Sequence, residues 1–320
     1  MNWIIAVTAV LVSLAVAGAA AVALRDPPPG LSRLVIATGG VGGVYFNYGQ
    51  GIANAARAAY PDATAITVRE TAASVANLGL IAEGQADVGF TLADSAALAV
   101  RGEAPFVGPQ PITALARLYD NYTQLVVRAQ SPVAELEDLK GKPVSTGAPD
   151  SGTELVAARL LGLVGLQPDR DVTRHRLDLA ESVRALEDGR IAAFFFSGGL
   201  PTAAIADLAR RTPIRLVNLG RFVTAMRAKY GEFYSELPVP AFVYGLVADV
   251  ATVGVPNYLV VSSRMPEAEA YALTRLLFEA KATLVAAHPE ARRLNRRAAI
   301  STYPVPLHPG AARYYREVKP

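Results

Sequence analysis

The order in which short β-rich runs and amphipathic helices follow each other constrains the fold of this chain most strongly. Residues 34–37, 65–68 and 86–90 have the pattern of strands, and each is followed by a turn and a helical pattern. The same order returns at 143–146 and 191–196, after a strand-like run at 125–127. Strands that alternate with helices predict an α/β fold on a mixed, mostly parallel sheet. A length of 320 residues favours two such units.

The first thirty residues differ from the rest of the chain. Residues 3–24 are almost wholly apolar and carry no charge, which is enough for a helix that crosses a bilayer. Residues 21–23 (AVA) fit a signal-peptidase site, and a Pro-rich spacer follows at 25–30. Both interpretations, a cleaved signal peptide or a retained anchor, predict export to the periplasm or the outer face of the cytoplasmic membrane. If residues 3–24 are not cleaved, they attach the protein to the membrane.

Several classes of function find no support in the composition. The chain has no cysteine, which removes thiolate nucleophiles and Cys-ligated metals. Its three histidines, His175, His288 and His308, lie far apart in sequence, so we expect no metal centre and no cofactor. The formal net charge is only +3 and no long run of like charges is present, so nucleic acid is not an expected partner.

The predicted strand-to-helix turns indicate where a ligand would bind. In an open α/β sheet, ligands lie beyond the carboxyl ends of the strands, where helix N-termini present unpaired N–H groups. Such N–H groups can hold a carboxylate without a buried lysine. The candidate loops are 38–43 with Tyr45, 71–77, 91–95, 145–153 and 197–199.

Each of these features also has a plainer interpretation. The glycine-rich turn at 38–43 lacks the spacing of a dinucleotide loop and can be a purely structural turn. Ser151 can cap a helix instead of contacting a ligand, and Tyr45 can stack on a ligand or only cover the first unit. Ser197 follows a buried strand as a nucleophile could, but no nucleophile-elbow motif surrounds it. We therefore expect no enzymatic activity.

Motifs along the chain resemble those of one family. They are IATGG at 36–40 with GVY at 43–45, TAASVANL at 71–78 with GQADVGF at 84–90, LKGKPV at 139–144, GAP at 147–149, SGTE at 151–154, GGLP at 198–201, VGVPN at 253–257 and PLHPGA at 306–311. With these, the chain from about residue 34 to residue 318 resembles the TAXI group of solute receptors. These are the extracytoplasmic binding subunits of tripartite ATP-independent periplasmic (TRAP) transporters.

The resemblance implies a two-lobed clamshell of the type II periplasmic-binding-protein class. Residues 1–30 would be the signal peptide or anchor with its spacer, 31–124 and 241–320 lobe I, and 125–240 lobe II. The ligand would be a small anionic or zwitterionic solute, such as an amino acid resembling glutamate or glutamine, or a dicarboxylate. TRAP membrane subunits would be the partner. The expected ligand-binding residues are Thr38, Gly39, Gly40, Tyr45, Ser74, Asn77, Thr91, Ser151, Gly152, Thr153, Ser197 and Tyr244.

The chain departs from the family pattern at two positions. Asp150 stands where the family often has glycine, so a negative charge precedes a helix that should face the ligand. It either caps that helix or weakens the binding of a dianion and favours a zwitterion. Ala192 replaces an acidic residue before the Phe-rich strand. Three other hypotheses remain: the receptor of an ATP-driven importer, a membrane-bound sensor, and a hydrolase or transferase on a related α/β fold.

Overall fold

A computed structural model describes residue 31 and residues 33–61 and 65–318. The predicted N-terminal apolar helix of residues 3–24 and its Pro-rich spacer lie outside these residues. Within the described ranges, no helix combines the length and the apolar character needed to cross a membrane.

The strands of the described residues form one mixed sheet. In chain order they are β1 Arg33–Ala37, β2 Ala65–Arg69, β3 Val88–Leu92, β4 Ile112–Arg128, β5 Pro143–Ser145, β6 Thr173–His175, β7 Ala193–Gly198, β8 Ile214–Leu216, β9 Ser235–Val239 and β10 Val250–Ser262. The sheet order is β2-β1-β3-β10-β4-β7-β5-β6, while β8 pairs with β4 and β9 with β10. β1 pairs in parallel with β2 and β3, and β5 pairs in parallel with β6 and β7. Two parallel sets therefore flank the pair β4 and β10.

The helices follow the strands in the same order in both halves of the chain. In chain order they are α1 Val44–Ala59, α2 Ser74–Ala82, α3 Ala93–Arg101, α4 Gly152–Leu163, α5 Leu179–Glu187, α6 Ala203–Arg211, α7 Val223–Tyr230, α8 Glu267–Glu279, α9 Lys281–Ala287, α10 Arg296–Ala299 and α11 Pro309–Glu317. Helices α1, α2 and α3 follow β1, β2 and β3, and α4, α5 and α6 follow β5, β6 and β7. We call β1–β3 with α1–α3 and α8–α11 the first lobe, and β5–β7 with α4–α7 the second lobe.

Two long antiparallel strands connect the lobes. β4 has 17 residues and β10 has 13. β4 pairs with β10 from Ile112 to Thr123 and with β7 from Tyr122 to Val127, while β10 also pairs with β3. The register of β10 on β4 is irregular between Pro256 and Tyr258. Proline has no N–H to donate to a ladder, and such irregularities often redirect a side chain beside a functional site.

Apolar clusters hold the helices against the sheet. One cluster packs α1 and α8 on the first lobe and contains Ile52 and Leu273, and another packs α5 and α6 on the second lobe. A further cluster contains residues of both lobes, including Ala96 of α3 and Val156 and Leu160 of α4. The two lobes are therefore in contact on this side of the molecule.

Candidate functional site

The carboxyl ends of the parallel strands of both lobes face one cleft. The cleft has a volume of about 560 Å³. It is lined by the turns after β1, β2, β5 and β6 and by the last residues of β3 and β7. This is the edge of the sheet at which an open α/β fold binds its ligands. A volume of this size suits a small organic molecule.

The structure brings most of the predicted site residues together around this cleft. The predicted residues that line it are Gly39, Gly40, Tyr45, Ser74, Ser151, Gly152, Thr153 and Ser197. They come from both lobes, so a ligand in the cleft would contact both.

Four predicted residues do not line the cleft, because their side chains bind other parts of the protein. Thr38 Oγ1 donates to the Arg69 carbonyl (2.8 Å). Asn77 Nδ2 donates to the carbonyls of Thr38 (2.6 Å) and Phe90 (2.8 Å), which holds β1 and β3 together. The remaining two are Thr91, whose hydroxyl donates to the Leu92 carbonyl (3.2 Å), and Tyr244, whose hydroxyl accepts the Thr202 N–H (3.0 Å).

Three hydroxyl groups of the cleft accept hydrogen bonds from backbone N–H groups. Ser151 Oγ caps α4 and accepts the Glu154 N–H (3.0 Å), and Thr153 Oγ1 accepts the Ser197 N–H (3.1 Å). Ser74 is the first residue of α2, and its Oγ accepts the Leu92 N–H (3.1 Å). For Ser151 and Thr153, the hydroxyl proton has no acceptor within the described residues. These side chains therefore offer donors to a ligand.

Helix N-termini add further donors. α1, α2, α4 and α5 all begin at residues that line the cleft, which are Val44, Ser74, Gly152 and Leu179. Each N-terminus carries unpaired N–H groups and about half a positive charge. Their convergence favours a ligand that carries negative charge or several hydrogen-bond acceptors.

Tyr45 forms one wall of the cleft and takes part in a polar chain beneath it. Its ring stacks on Phe90, with centroids 5.1 Å apart, and its hydroxyl donates to Asn257 Oδ1. Asn257 Nδ2 donates to Asn121 Oδ1 (2.9 Å), and Asn121 Nδ2 donates to the Ser197 carbonyl (3.2 Å). Burial raises the pKa of Tyr45 well above its ordinary value, so the hydroxyl stays protonated and remains a donor. This chain joins β4, β7 and β10 to α1.

Sequence reasoning missed the residues that β4 contributes. Tyr119 and Asn121 line the cleft from this strand, and they form its floor because β4 runs through the middle of the sheet. No motif marks them. Only the assignment of residues 112–124 to a crossing strand could have placed them at the site.

The charges around the cleft are unusual for an anion site. No arginine or lysine is among its lining residues, whereas Glu70 and Asp178 are. Two arginines of the second lobe, Arg174 and Arg176, both bind the buried Glu154, which does not line the cleft. Within the described residues, the cleft thus depends on neutral donors for the recognition of negative charge.

Two residues with strained backbone conformations lie at or next to the cleft. In the described chain, the non-glycine residues with positive φ are Ala73 (φ 85°) and Asp150 (φ 61°). Ala73 lines the cleft, and Asp150 directly precedes the cap residue Ser151. Asp150 is exposed and does not cap α4, but its carbonyl accepts the Ala76 N–H from the other lobe (3.1 Å). Such conformations cost free energy and are common at ligand sites.

Polar contacts also tie the lobes together on either side of the cleft. Asp94 of α3 binds Arg159 of α4 (2.9 Å). Elsewhere, Glu290 of the first lobe accepts the Leu200 N–H of the second (3.1 Å) and pairs with Arg293 (2.7 Å). Burial raises the pKa of Glu290. Together with the shared apolar cluster, these contacts hold the two lobes against each other.

The described residues contain no cluster of side chains suited to hold a metal ion. Ser197 Oγ has no hydrogen-bond partner among them. In the described part of the chain, no histidine is therefore hydrogen-bonded to Ser197 Oγ.

The fold and the cleft define the class of this protein, and comparison with known proteins then gives its family. The architecture is the two-lobed α/β fold of type II periplasmic binding proteins, as predicted. The chain belongs to the NMT1-like family, whose pattern matches residues 36–318.

Solved structures share this fold at low sequence identity. A protein from Bordetella bronchiseptica RB50 is 21% identical with a TM-score of 0.52, covering 87% of this chain and 83% of that one. A chloride-bound protein from Xanthomonas citri is 16% identical with a TM-score of 0.51, covering 89% and 95%. The periplasmic aliphatic sulphonate binding protein SsuA from Escherichia coli is 16% identical with a TM-score of 0.49, covering 89% and 82%. At these identities the likeness concerns the fold alone.

Proposed function

We propose that this protein is an extracytoplasmic receptor that captures a small carboxylate-bearing solute and delivers it to a TRAP-type secondary transporter. The solute would be an amino acid resembling glutamate or glutamine, or a dicarboxylate. The observation that carries the proposal is the donor-rich cleft between two lobes. Helix N-termini and hydroxyl protons converge there, and Ser151 and Thr153 supply two of these hydroxyls.

Capture requires that the lobes open and close. The proposed lobe boundaries, 31–124 with 241–320 and 125–240, place the hinge in the crossing strands β4 and β10. In support, β4 changes its pairing partner from β10 to β7 at residues 122–123. Two crossing strands permit a hinge rotation that leaves each lobe intact.

The transporter partner and the location rest on sequence. The motifs shared with TAXI receptors favour a TRAP membrane subunit as the partner, and the apolar residues 3–24 favour export. Expression of the full chain with a tag, followed by co-purification with the TRAP membrane subunits of the same cell, tests the partner. Recovery of an ATP-driven importer instead would contradict this part of the proposal.

Ligand binding is tested by a thermal-shift screen of the full chain against amino acids, dicarboxylates and oxo acids, followed by calorimetry. A ligand at 100 times its Kd should stabilise the folded state by about 2.7 kcal/mol. The double change Ser151→Ala and Thr153→Ala should weaken binding of the best ligand by about tenfold or more, because two donors are lost.

A matched control separates lost binding from lost helix stability. Asn295 caps α10 through the Ala298 N–H (2.9 Å), away from the cleft. Asn295→Ala should lower stability as the loss of the Ser151 cap does, by about 1 kcal/mol, without changing affinity. If the double variant binds every carboxylate as well as the wild type does, the proposed site is wrong.

A further inference from the structure

The two acidic residues of the cleft lie in corresponding turns of the two lobes. Glu70 directly follows β2, and Asp178 lies in the turn after β6 and caps α5. β2 and β6 are the outermost strands of the sheet order, farthest from the crossing strands. In a clamshell that folds about β4 and β10, the outermost strands flank the mouth. Both carboxylates therefore belong to the mouth of the same cleft.

Only one oxygen of each carboxylate accepts a hydrogen bond from the described residues. Glu70 Oε1 accepts the Val41 N–H (3.0 Å), and Asp178 Oδ1 accepts the Glu181 N–H (2.8 Å). In the described part of the chain, the second oxygen of each has no hydrogen-bond or ion-pair partner. No cation lines the cleft to offset them. Closure around a dianion would thus bring further negative charge to a mouth that is already acidic.

The floor of the cleft supplies an independent sign of a ligand. Tyr119 and Ser197 line the cleft, are 3% and 9% exposed, and carry buried hydroxyl oxygens without a hydrogen-bond partner among the described residues. A buried hydroxyl without a partner is costly, and a ligand acceptor would remove that cost. β4 and β7, which carry these residues, are neighbours at the middle of the sheet.

The floor and the mouth of the cleft therefore favour different chemical groups of a ligand. The floor and the helix N-termini offer donors, which suit a carboxylate. The mouth offers Glu70 and Asp178, which suit a group that donates hydrogen bonds and carries positive charge. A single small molecule with both groups is a zwitterion.

We propose that Glu70 and Asp178 select a zwitterionic ligand, whose ammonium group lies between them when the lobes close and whose carboxylate lies at the floor with Tyr119 and Ser197. The selection rests on the proposed receptor function and narrows its substrate class. In this proposal the two acidic residues at the mouth also exclude dicarboxylates. The ammonium group both pairs with the two carboxylates and relieves their mutual repulsion on closure.

The experiment compares amino acids with the same acids lacking the amino group. Calorimetry on the full chain uses glutamine with glutaramate, leucine with 4-methylpentanoate, and phenylalanine with 3-phenylpropionate, and adds glutarate as a dianion. In the pair that binds best, the amino acid should bind about tenfold or more tightly, as expected for charge-assisted hydrogen bonds. Glutarate should bind more weakly than that amino acid.

Variants then test the assigned residues. Glu70→Gln and Asp178→Asn keep an oxygen acceptor for Val41 and for the α5 cap, and together they should remove most of the preference for the amino acid. Asp188→Asn is the matched control, because this exposed carboxylate lies at the other end of α5. It should leave the preference unchanged. Thermal melts of each variant verify that it is folded.

The outcomes are distinct. Equal affinity within every pair, tightest binding of glutarate, or a preference that persists in the double variant would each overturn the zwitterion proposal while leaving the receptor function intact. Failure of all seven compounds, together with failure of the wider carboxylate screen, would overturn both.

Discussion

The buried ion pair between the lobes provides the sharpest test of the energetics. Asp94 of α3 has no solvent exposure and accepts hydrogen bonds from Arg159 Nη1 (2.9 Å) and from Tyr234 Oη (2.8 Å). Arg159 also contacts the Tyr234 hydroxyl and lies over the Tyr230 ring, 4.8 Å from its centroid. Burial, with a smaller contribution from Asp94, raises the pKa of Tyr234 well above its ordinary value, so its hydroxyl remains a donor.

Asp94→Asn removes the negative charge and leaves the guanidinium of Arg159 buried without a counter-charge. Removing one partner of a buried ion pair costs about 3–5 kcal/mol, because the remaining charge is desolvated and unpaired. Urea unfolding followed by circular dichroism should therefore give a free energy of unfolding lower by about that amount. The ligand affinity should fall as well, because the pair joins the two lobes.

The control is the exposed pair Asp207 and Arg210, which lies on one helix. Asp207→Asn should change stability by no more than about 1 kcal/mol, since exposed pairs contribute little. A double-mutant cycle with Arg159→Gln isolates the interaction. A loss below about 1 kcal/mol for Asp94→Asn, or a coupling energy near zero, would refute the reasoning that this pair holds the lobes together.

Two further predictions concern closure and acid stability. Gly152→Val should weaken ligand binding and enlarge the ligand-bound radius of gyration in scattering. The reason is that even a Cβ at Gly152 would lie 2.6 Å from Leu92 Cδ1 and Ser74 Oγ of the other lobe. An unchanged affinity would contradict this prediction. His308 caps α11 by accepting the Gly310 N–H on Nδ1, and burial lowers its pKa below 6.5. The unfolded chain therefore takes up the proton first on acidification, and stability falls as the pH drops below about 6.5. His308→Asn should reduce the loss of unfolding free energy between about pH 7.5 and about pH 5.5, and an equal loss in both proteins would contradict this account.

The fold followed from local patterns, and the class predicted from them is confirmed. The boundaries of the fully buried strands were less well predicted. β3 was expected at 86–90 and lies at Val88–Leu92, and β7 was expected at 191–196 and lies at Ala193–Gly198. Strands that are apolar on both faces have no alternation to mark where they begin.

The crossing strands were predicted only in part, for a different reason. β4 was expected from 125–127, yet it spans Ile112–Arg128. Its middle carries Asp120 and Asn121, where it passes from one lobe to the other, so no single burial pattern runs along it. β9 was not predicted, and it contains Pro238. Proline is tolerated there because β9 pairs with β10 alone.

The site could be predicted wherever it lies in a strand-to-helix turn, because the carboxyl ends of parallel strands converge. Gly39, Ser151 and Thr153 are examples. Tyr119 and Asn121 could not be found in this way, since they lie inside a strand and reach the cleft only through the crossing. Whether these residues bind the ligand stays a prediction, as does the TAXI subtype.

Charge is the property that the sequence conveyed least well, and it bears most directly on the ligand. A net charge of +3 counts every cation alike, wherever it lies in the fold. In the folded chain, however, Arg159, Arg174 and Arg176 are paired with carboxylates outside the cleft. The cleft must neutralise a ligand carboxylate with N–H and O–H groups alone. Their positive potential is enough for one carboxylate but small for a second one. A second charged group of the ligand would lie at the acidic mouth, beside Glu70 and Asp178. A positive group is favoured there over another carboxylate, because a carboxylate would be repelled.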